Sequence, residues 1–190
     1  MKDISAHVLD IIENSARAGA TAVAIRVTWR DVWLTLEISD NGPGLPASVR
    51  ADPTDPYRTT RMDRNVGLGL ALLRSAAERT GGRLDIDDSP RGVSLRASFD
   101  VSSIDAQPFG PLEDALCASM LAWPGLDLFV QAGRAVVLDT REIRRDLDGV
   151  EIGNTRVQAF LHRFLRDELA PFYGWLVSSG PEEARSQGAQ

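Results

Sequence analysis

The chain has 190 residues, 43% of them apolar, which suits one domain or one domain with a small addition. Its net charge is −6, with 13 basic and 14 acidic side chains in residues 1–100 and 8 and 13 in residues 101–190, so neither half has the basic excess of a nucleic-acid binder. One cysteine and two histidines exclude an internal disulfide framework and leave little for a zinc site. There is no run of about 18 apolar residues to span a membrane. The N-terminus, MKDISAHVLD, lacks the basic and apolar regions of a signal peptide. A cytoplasmic protein without membrane contact is expected.

Residues 3–18 read as a helix ended by Gly19. Residues 21–29 and 32–39 alternate like two paired strands, joined by a tight turn at Arg30-Asp31. Residues 41–66 have little periodicity, and a loop of that length inside a compact domain is more often functional than not. It carries Arg50, Arg58, Arg61 and Arg64. A second helix is expected over 67–80, closed by Gly81-Gly82, then strands over 83–88 and 92–100 around Pro90-Arg91. This order points to an α+β two-layer sandwich with helices on one face of the sheet. A linker is expected at 104–110. Pro111 then opens a helix with Glu113 and Asp114 in its first turn, favourable to the helix dipole. Strands over 126–131 and 134–139 flank Ala132-Gly133, and a short helix covers 140–147. Asn154 or Thr155 caps a last helix whose Val157, Phe160, Leu161, Phe164, Leu165 and Leu169 follow helical spacing. These elements make 111–179 a small α/β module and 180–190 a polar, disordered tail.

Two features call for chemistry. At about 100° per residue, His7, Asp10, Asn14 and Arg17 share one stripe of the first helix, beside a core face of Ile4, Val8, Ile11, Ile12 and Ser15. Such a stripe is most often a solvated face. It would also suit a metal–phosphate group: the carboxylate orients water, the amide oxygen ligates magnesium and the guanidinium meets a phosphate. The second feature is NVGLGLALL at 65–73, where two glycines open an apolar helix. Glycine inside a helix costs about 1 kcal/mol against alanine, but at a helix start it lets an anion approach the unpaired N–H groups. The stretch is not a dinucleotide fingerprint, since no strand precedes Gly67 and Leu72 stands where a third glycine belongs.

Taken in order, DIIENSARAGAT (10–21), DNGPG (40–44) and GLGL (67–70) followed by ERTGG resemble the ATP-binding domain shared by DNA gyrase B, heat-shock chaperones of the ninety-kilodalton class, MutL repair proteins and histidine kinases, the GHKL superfamily. The resemblance covers residues 3–100 and places the histidine kinase-like domain at 1–103. It implies the Bergerat-type fold, a mixed and mostly antiparallel sheet, with ATP and Mg2+ as ligands. By the same resemblance Asn14 ligates magnesium, Asp40 accepts the adenine amino group, and Gly42 and Gly44 let the backbone pass the base. Gly67, Leu68 and Gly69 line the phosphates, Arg17 lies near them, and Thr59, Thr60 and Arg61 contact the nucleotide from a lid formed by 46–66.

This chain departs from the family at two places. The ATP-hydrolysing members carry a glutamate base where this chain has Asp10, one methylene shorter. Many members carry Gly-Thr where this chain has Gly92-Val93-Ser94, so Ser94 is the candidate hydroxyl. The chain begins at the asparagine-box helix, so no upstream hairpin with a phospho-acceptor histidine is expected. His7 is expected to pack or hydrogen-bond near the site. Three functions stay open: an ATP-binding switch acting on a protein partner or substrate by phosphotransfer or docking, a MutL-type ATPase controlling dimerisation, and an adaptor that has lost nucleotide. A homodimer also stays open. Phe109, Trp123, Phe172, Tyr173 and Trp175 are candidates for a docking patch, although core packing is the commoner use of such residues.

Overall fold

The computed structural model describes residues 2–50, 52–54 and 68–181. Helix α1 (Ile4–Arg17) starts at Asp3, whose carboxylate accepts from the Ala6 N–H at 2.8 Å. The N–H groups of Ile4 and Ser5 donate to the Pro108 and Phe109 carbonyls at 2.9 and 2.7 Å. Three donors that a helix start leaves unpaired are thereby satisfied, and the segment expected as a linker is tied to α1. Strands β1 (Ala22–Arg30) and β2 (Trp33–Asp40) follow. Their turn sits one residue later than expected, with Asp31 at φ 56°. Within the expected long loop lies the short helix α2 (Ala47–Arg50). Then come α3 (Leu68–Arg79), β3 (Arg83–Ser89) and β4 (Gly92–Asp100).

The remaining elements are α4 (Leu112–Ala122), β5 (Asp127–Ala132), β6 (Ala135–Asp139), α5 (Thr140–Asp146) and α6 (Thr155–Ser179). Asn154, not Thr155, caps α6 by accepting from the Arg156 N–H. Residues 111–179 do not build a sheet of their own. Strand β5 pairs parallel with β1, giving one six-stranded sheet of order β3-β4-β2-β1-β5-β6. All other pairs are antiparallel. Of the tail expected as disordered, residues 182–190 lie outside the described residues.

Alternation divides the sheet into two faces. Val27, Leu36, Ala97 and Leu84 lie in register across four strands, as do Val130, Ile25, Ile38 and Leu95, and all are buried. They pack against α1, α3, α4 and α6 in one core that runs through both halves of the chain. Arg26, Glu37 and Arg96 occupy the other face as exposed or half-buried ion pairs, as suits a sheet with one wet side. The expected α+β sandwich, a mixed and mostly antiparallel sheet with helices on one face, is the observed architecture. The suspected docking aromatics pack instead. Phe109 and Phe172 are buried and meet edge to face, and Trp29, Phe172 and Trp175 pack against one another. Tyr173 donates to Glu113 Oε2 at 2.5 Å and accepts from the Leu112 N–H at 2.8 Å.

Candidate functional site

Three elements converge on Asp40, the last residue of β2. Its Oδ2 accepts from Ser15 Oγ of α1 at 2.7 Å. Its Oδ1 accepts from the Gly42 N–H at 2.9 Å and from the Val93 N–H of β4 at 3.2 Å. An ionised carboxylate offers about four acceptor positions, so three bonds orient the group and leave one position over, on Oδ2. The loop that follows is pinned on both sides. Asn41 Oδ1 accepts from the N–H groups of Thr21 and Ala22, both at 2.9 Å, and its Nδ2 donates to Thr21 Oγ1 at 2.8 Å. Asp88 accepts from the Leu45 N–H at 2.6 Å and from Arg50 Nε at 2.7 Å. Gly44 has φ +84°, and a Cβ there would stand 2.3 Å from the Ser89 carbonyl oxygen, so only glycine lets the loop lie against the β3–β4 hairpin.

On α1, Asn14 Nδ2 donates to Asp10 Oδ2 at 3.1 Å, an i, i+4 pair on one face. The start of α3 lies against the same carboxylate, since a Cβ on Gly69 would be 2.0 Å from Asp10 Oδ2. His7, one turn earlier, is 2% exposed, and its Nδ1 has no hydrogen-bond partner among the described residues. Burial is the main force holding this imidazole below its usual range, opposed by hydrogen bonds with Gln107 and the Gly69 backbone and by the charge of Asp10. Arg17 pairs with Glu13 at 3.1 Å on the exposed side of the helix.

The structure thus brings together Asp10, Asn14 and Gly69 along the α1–α3 contact, and Asp40, Gly42 and Gly44 at the end of β2. Leu68 is the first residue of α3. Thr59, Thr60, Arg61 and Gly67 lie outside the described residues. Ser94, the candidate hydroxyl, alternates with buried Leu95 and is exposed on the wet face of the sheet; its neighbour Val93 donates its N–H to Asp40. Sequence reasoning missed Ser15, Asn41 and Asp88. For Ser15 a signal existed: a hydroxyl on the core face of a helix needs a buried partner. For the other two, the partners lie 19 to 43 residues away and no local pattern announces them.

The donor set fits magnesium in one respect. Asn14 turns its amide nitrogen to Asp10, and its carbonyl oxygen is the kind of atom a hard cation takes. Among the described residues no three His, Cys, Asp or Glu side chains cluster for a metal. Magnesium bound with phosphates needs only one or two protein oxygens.

Residues 2–103, from α1 through β4, match the family of histidine kinase-, DNA gyrase B-, and HSP90-like ATPases. The chain belongs to this family. Among curated proteins it is similar to the nitrogen regulation protein NtrY of Azorhizobium caulinodans, at 38% identity over 77 residues, 40% of this chain and 10% of NtrY. It is also similar to the sensor protein kinase CarS of Pseudomonas aeruginosa, at 34% identity over 95 residues, 48% of this chain and 21% of CarS. The chain therefore spans about a tenth to a fifth of the length of these relatives. Among solved structures, the Aquifex aeolicus MutL ATPase domain complexed with ADP matches with a TM-score of 0.49 and 12% identity, over 73% of this chain and 63% of that one. The mycobacterial sensor histidine kinase MprB matches with a TM-score of 0.37 and 24% identity, over 49% and 68%. Within this histidine kinase-like ATPase domain, no helix among the described residues is long and apolar enough to cross a membrane.

Proposed function

We propose that this histidine kinase-like domain binds Mg-ATP and acts on a protein partner by phosphotransfer or nucleotide-dependent docking. The observation that carries the reading is the Asp40 carboxylate. It is oriented by Ser15, Gly42 and Val93 and keeps one acceptor position. An adenine amino group would donate to that position, whereas guanine presents a carbonyl there and would be repelled. Asp10, Asn14 and the N-terminus of α3 lie together at a second point of α1, where the phosphates and their magnesium would sit. Asn14 would hold the ion through its carbonyl oxygen, with its amide oriented by Asp10.

Titration calorimetry tests the reading. ATP and ADP with magnesium are expected to bind in preference to GTP. Asp40→Asn is expected to weaken adenine binding by about 1–3 kcal/mol, through loss of a charged acceptor. Equal affinity for ATP and GTP would remove the adenine assignment. The second reading, a slow ATPase of the MutL type, rests on Asp10. The Gly69 contact sets its carboxylate against the α3 N-terminus, where it would face a water at the phosphates. One methylene less than glutamate makes that reach short, so basal turnover is expected well below the enzyme median of about 10 per second. Radiolabelled ATP, followed as free phosphate and as labelled protein with and without lysate, separates the two. Asp10→Asn is expected to bind ATP and abolish turnover, and Asp10→Glu to raise hydrolysis.

A further inference from the structure

Strand β3 turns Leu84, Ile86 and Asp88 to the helix face of the sheet, and Arg83, Asp85 and Asp87 to the wet one. Leu84 belongs to the core and Ile86 packs against it. The next inward position, where an apolar side chain would continue the pattern, holds a carboxylate that is only 14% exposed. A carboxylate so placed needs partners, and it finds them in the stretch after Asp40. Asp88 Oδ1 accepts from the Leu45 N–H at 2.6 Å and Oδ2 meets Arg50 Nε at 2.7 Å. Arg50 Nη2 donates in turn to the Leu45 carbonyl at 2.9 Å. Leu45, Arg50 and Asp88 thus close a ring that holds both backbone polar groups of Leu45. The cross-strand partner of Asp88 is Val93, whose N–H donates to Asp40 Oδ1 at 3.2 Å. One rung of the β3–β4 hairpin therefore grips the stretch from Asp40 to Leu45 at both ends. Gly42 and Gly44 lie between the grips, and a Cβ on Gly44 would stand 2.7 Å from Asp88 Oδ1.

We propose that Asp88, clasped by Arg50, is a positioning residue that makes the Asp40 carboxylate selective for adenine; the proposal rests on the Mg-ATP reading above. A carboxylate is not selective by itself. Beside its carbonyl, guanine carries a ring N–H and an amino group, and a carboxylate accepts from both. Asp40 rejects guanine only while it stays opposite the place where adenine has its amino group and guanine its carbonyl. A sideways shift of the base would bring the guanine donors to it. Ser15 and Val93 hold the carboxylate, while the Gly42–Gly44 backbone would lay the base against it. The offset between carboxylate and loop then decides which part of the base edge is read. Because Asp88 and Val93 form one rung, a single cross-strand pair fixes that offset. Binding groups select when supporting bonds hold them within about 0.5 Å of the productive geometry. Asp88 supplies that support without touching the base.

Titration calorimetry of the full chain with Mg-ATP and with Mg-GTP tests this. Asp88→Leu continues the apolar pattern of β3 and removes the clasp. It is expected to lower the ratio of ATP to GTP affinity about tenfold, with ATP binding weakened and GTP binding unchanged or tighter. Asp88→Asn keeps an acceptor for the Leu45 N–H and is expected to hold the ratio within about twofold of wild type. Arg50→Ala removes an exposed side chain outside the core, so it reports on the clasp even where the leucine variant fails to fold. It is expected to lower the ratio about threefold. A wild-type preference for ATP that Asp88→Leu and Arg50→Ala both keep would overturn this proposal and leave the Mg-ATP reading standing. So would an equal loss of ATP and GTP binding in these variants, since Asp88 would then serve the fold alone. Equal affinity of wild type for ATP and GTP would overturn both.

Discussion

Replacing Gly92 by alanine tests whether the β3–β4 hairpin holds the Asp40 site. Gly92 has φ +127°, and a Cβ there would stand 1.8 Å from the Asp40 carbonyl oxygen, 2.7 Å from its carbonyl carbon and 3.2 Å from Asn41 Cα. Real Cβ contacts essentially never fall below 3.0 Å, so β4 and the end of β2 must separate by at least 3.0 − 1.8 = 1.2 Å. The obstructing atoms are backbone, so no side-chain rotation relieves the clash. The neighbouring bond from the Val93 N–H to Asp40 Oδ1, already 3.2 Å long, would break with that movement. Strain at positive φ, the clash and the lost bond together set a destabilisation of about 2–4 kcal/mol. Gly81→Ala is the control. Gly81 has φ +75° and a Cβ there would meet nothing within 4 Å, so only the left-handed backbone matters, at about 1–2 kcal/mol. For a chain of this size each kcal/mol lowers the melting temperature by about 2–4 °C. Thermal unfolding by circular dichroism should therefore show Gly92→Ala melting clearly below Gly81→Ala. Equal melting temperatures would refute the reasoning, because the contact with Asp40 would then contribute nothing beyond glycine's own conformational freedom.

Ser15→Ala is expected to lower unfolding stability by about 1.5–3 kcal/mol in urea titration, since the buried hydroxyl donates to a charged acceptor. A change near zero would mean that Asp40 does not depend on α1. His7 is held below its usual range in the folded chain by burial, so the unfolded chain binds the proton more readily as pH falls. Stability present above the ordinary histidine pKa is therefore lost as pH drops through it, by at most about 1.4 kcal/mol per pH unit. Urea midpoints between pH 7.5 and 5, compared with His7→Gln, check this, and the variant should show the shallower slope. Cys117 is buried, and burial, with Asp114 and Glu113 beside it, pushes its thiol up to about 11. At pH 8 only about one thiol in a thousand is ionised, so iodoacetamide should label the native chain slowly and the urea-unfolded chain fast. Equal labelling rates would show that α4 opens readily.

Local patterns determined much of this protein. Alternation and turn residues marked six strands, helical spacing marked α1 and α6, glycines and Pro111 bounded α3 and α4, and Asn154 capped α6 as its type predicts. The same holds for the candidate site, because Asp10, Asn14, Asp40 and the glycines stand in motifs whose chemistry depends on residue type and spacing. What remained hidden depends on pairings between distant segments. Local pattern does not announce that the Val93 N–H of β4 will meet the Asp40 carboxylate across the sheet, 53 residues away. Nothing in residues 111–139 announces that β5 will lie parallel to β1 and extend the sheet across the expected boundary. On α6, spacing places Phe160 and Leu161 in one apolar band. Only packing against the sheet and α4 buries Leu161 and leaves Phe160 in water. A helix rotates about 100° per residue, and an apolar band wider than the surface available to cover it is divided by where its neighbours sit. That division is a property of the tertiary structure alone.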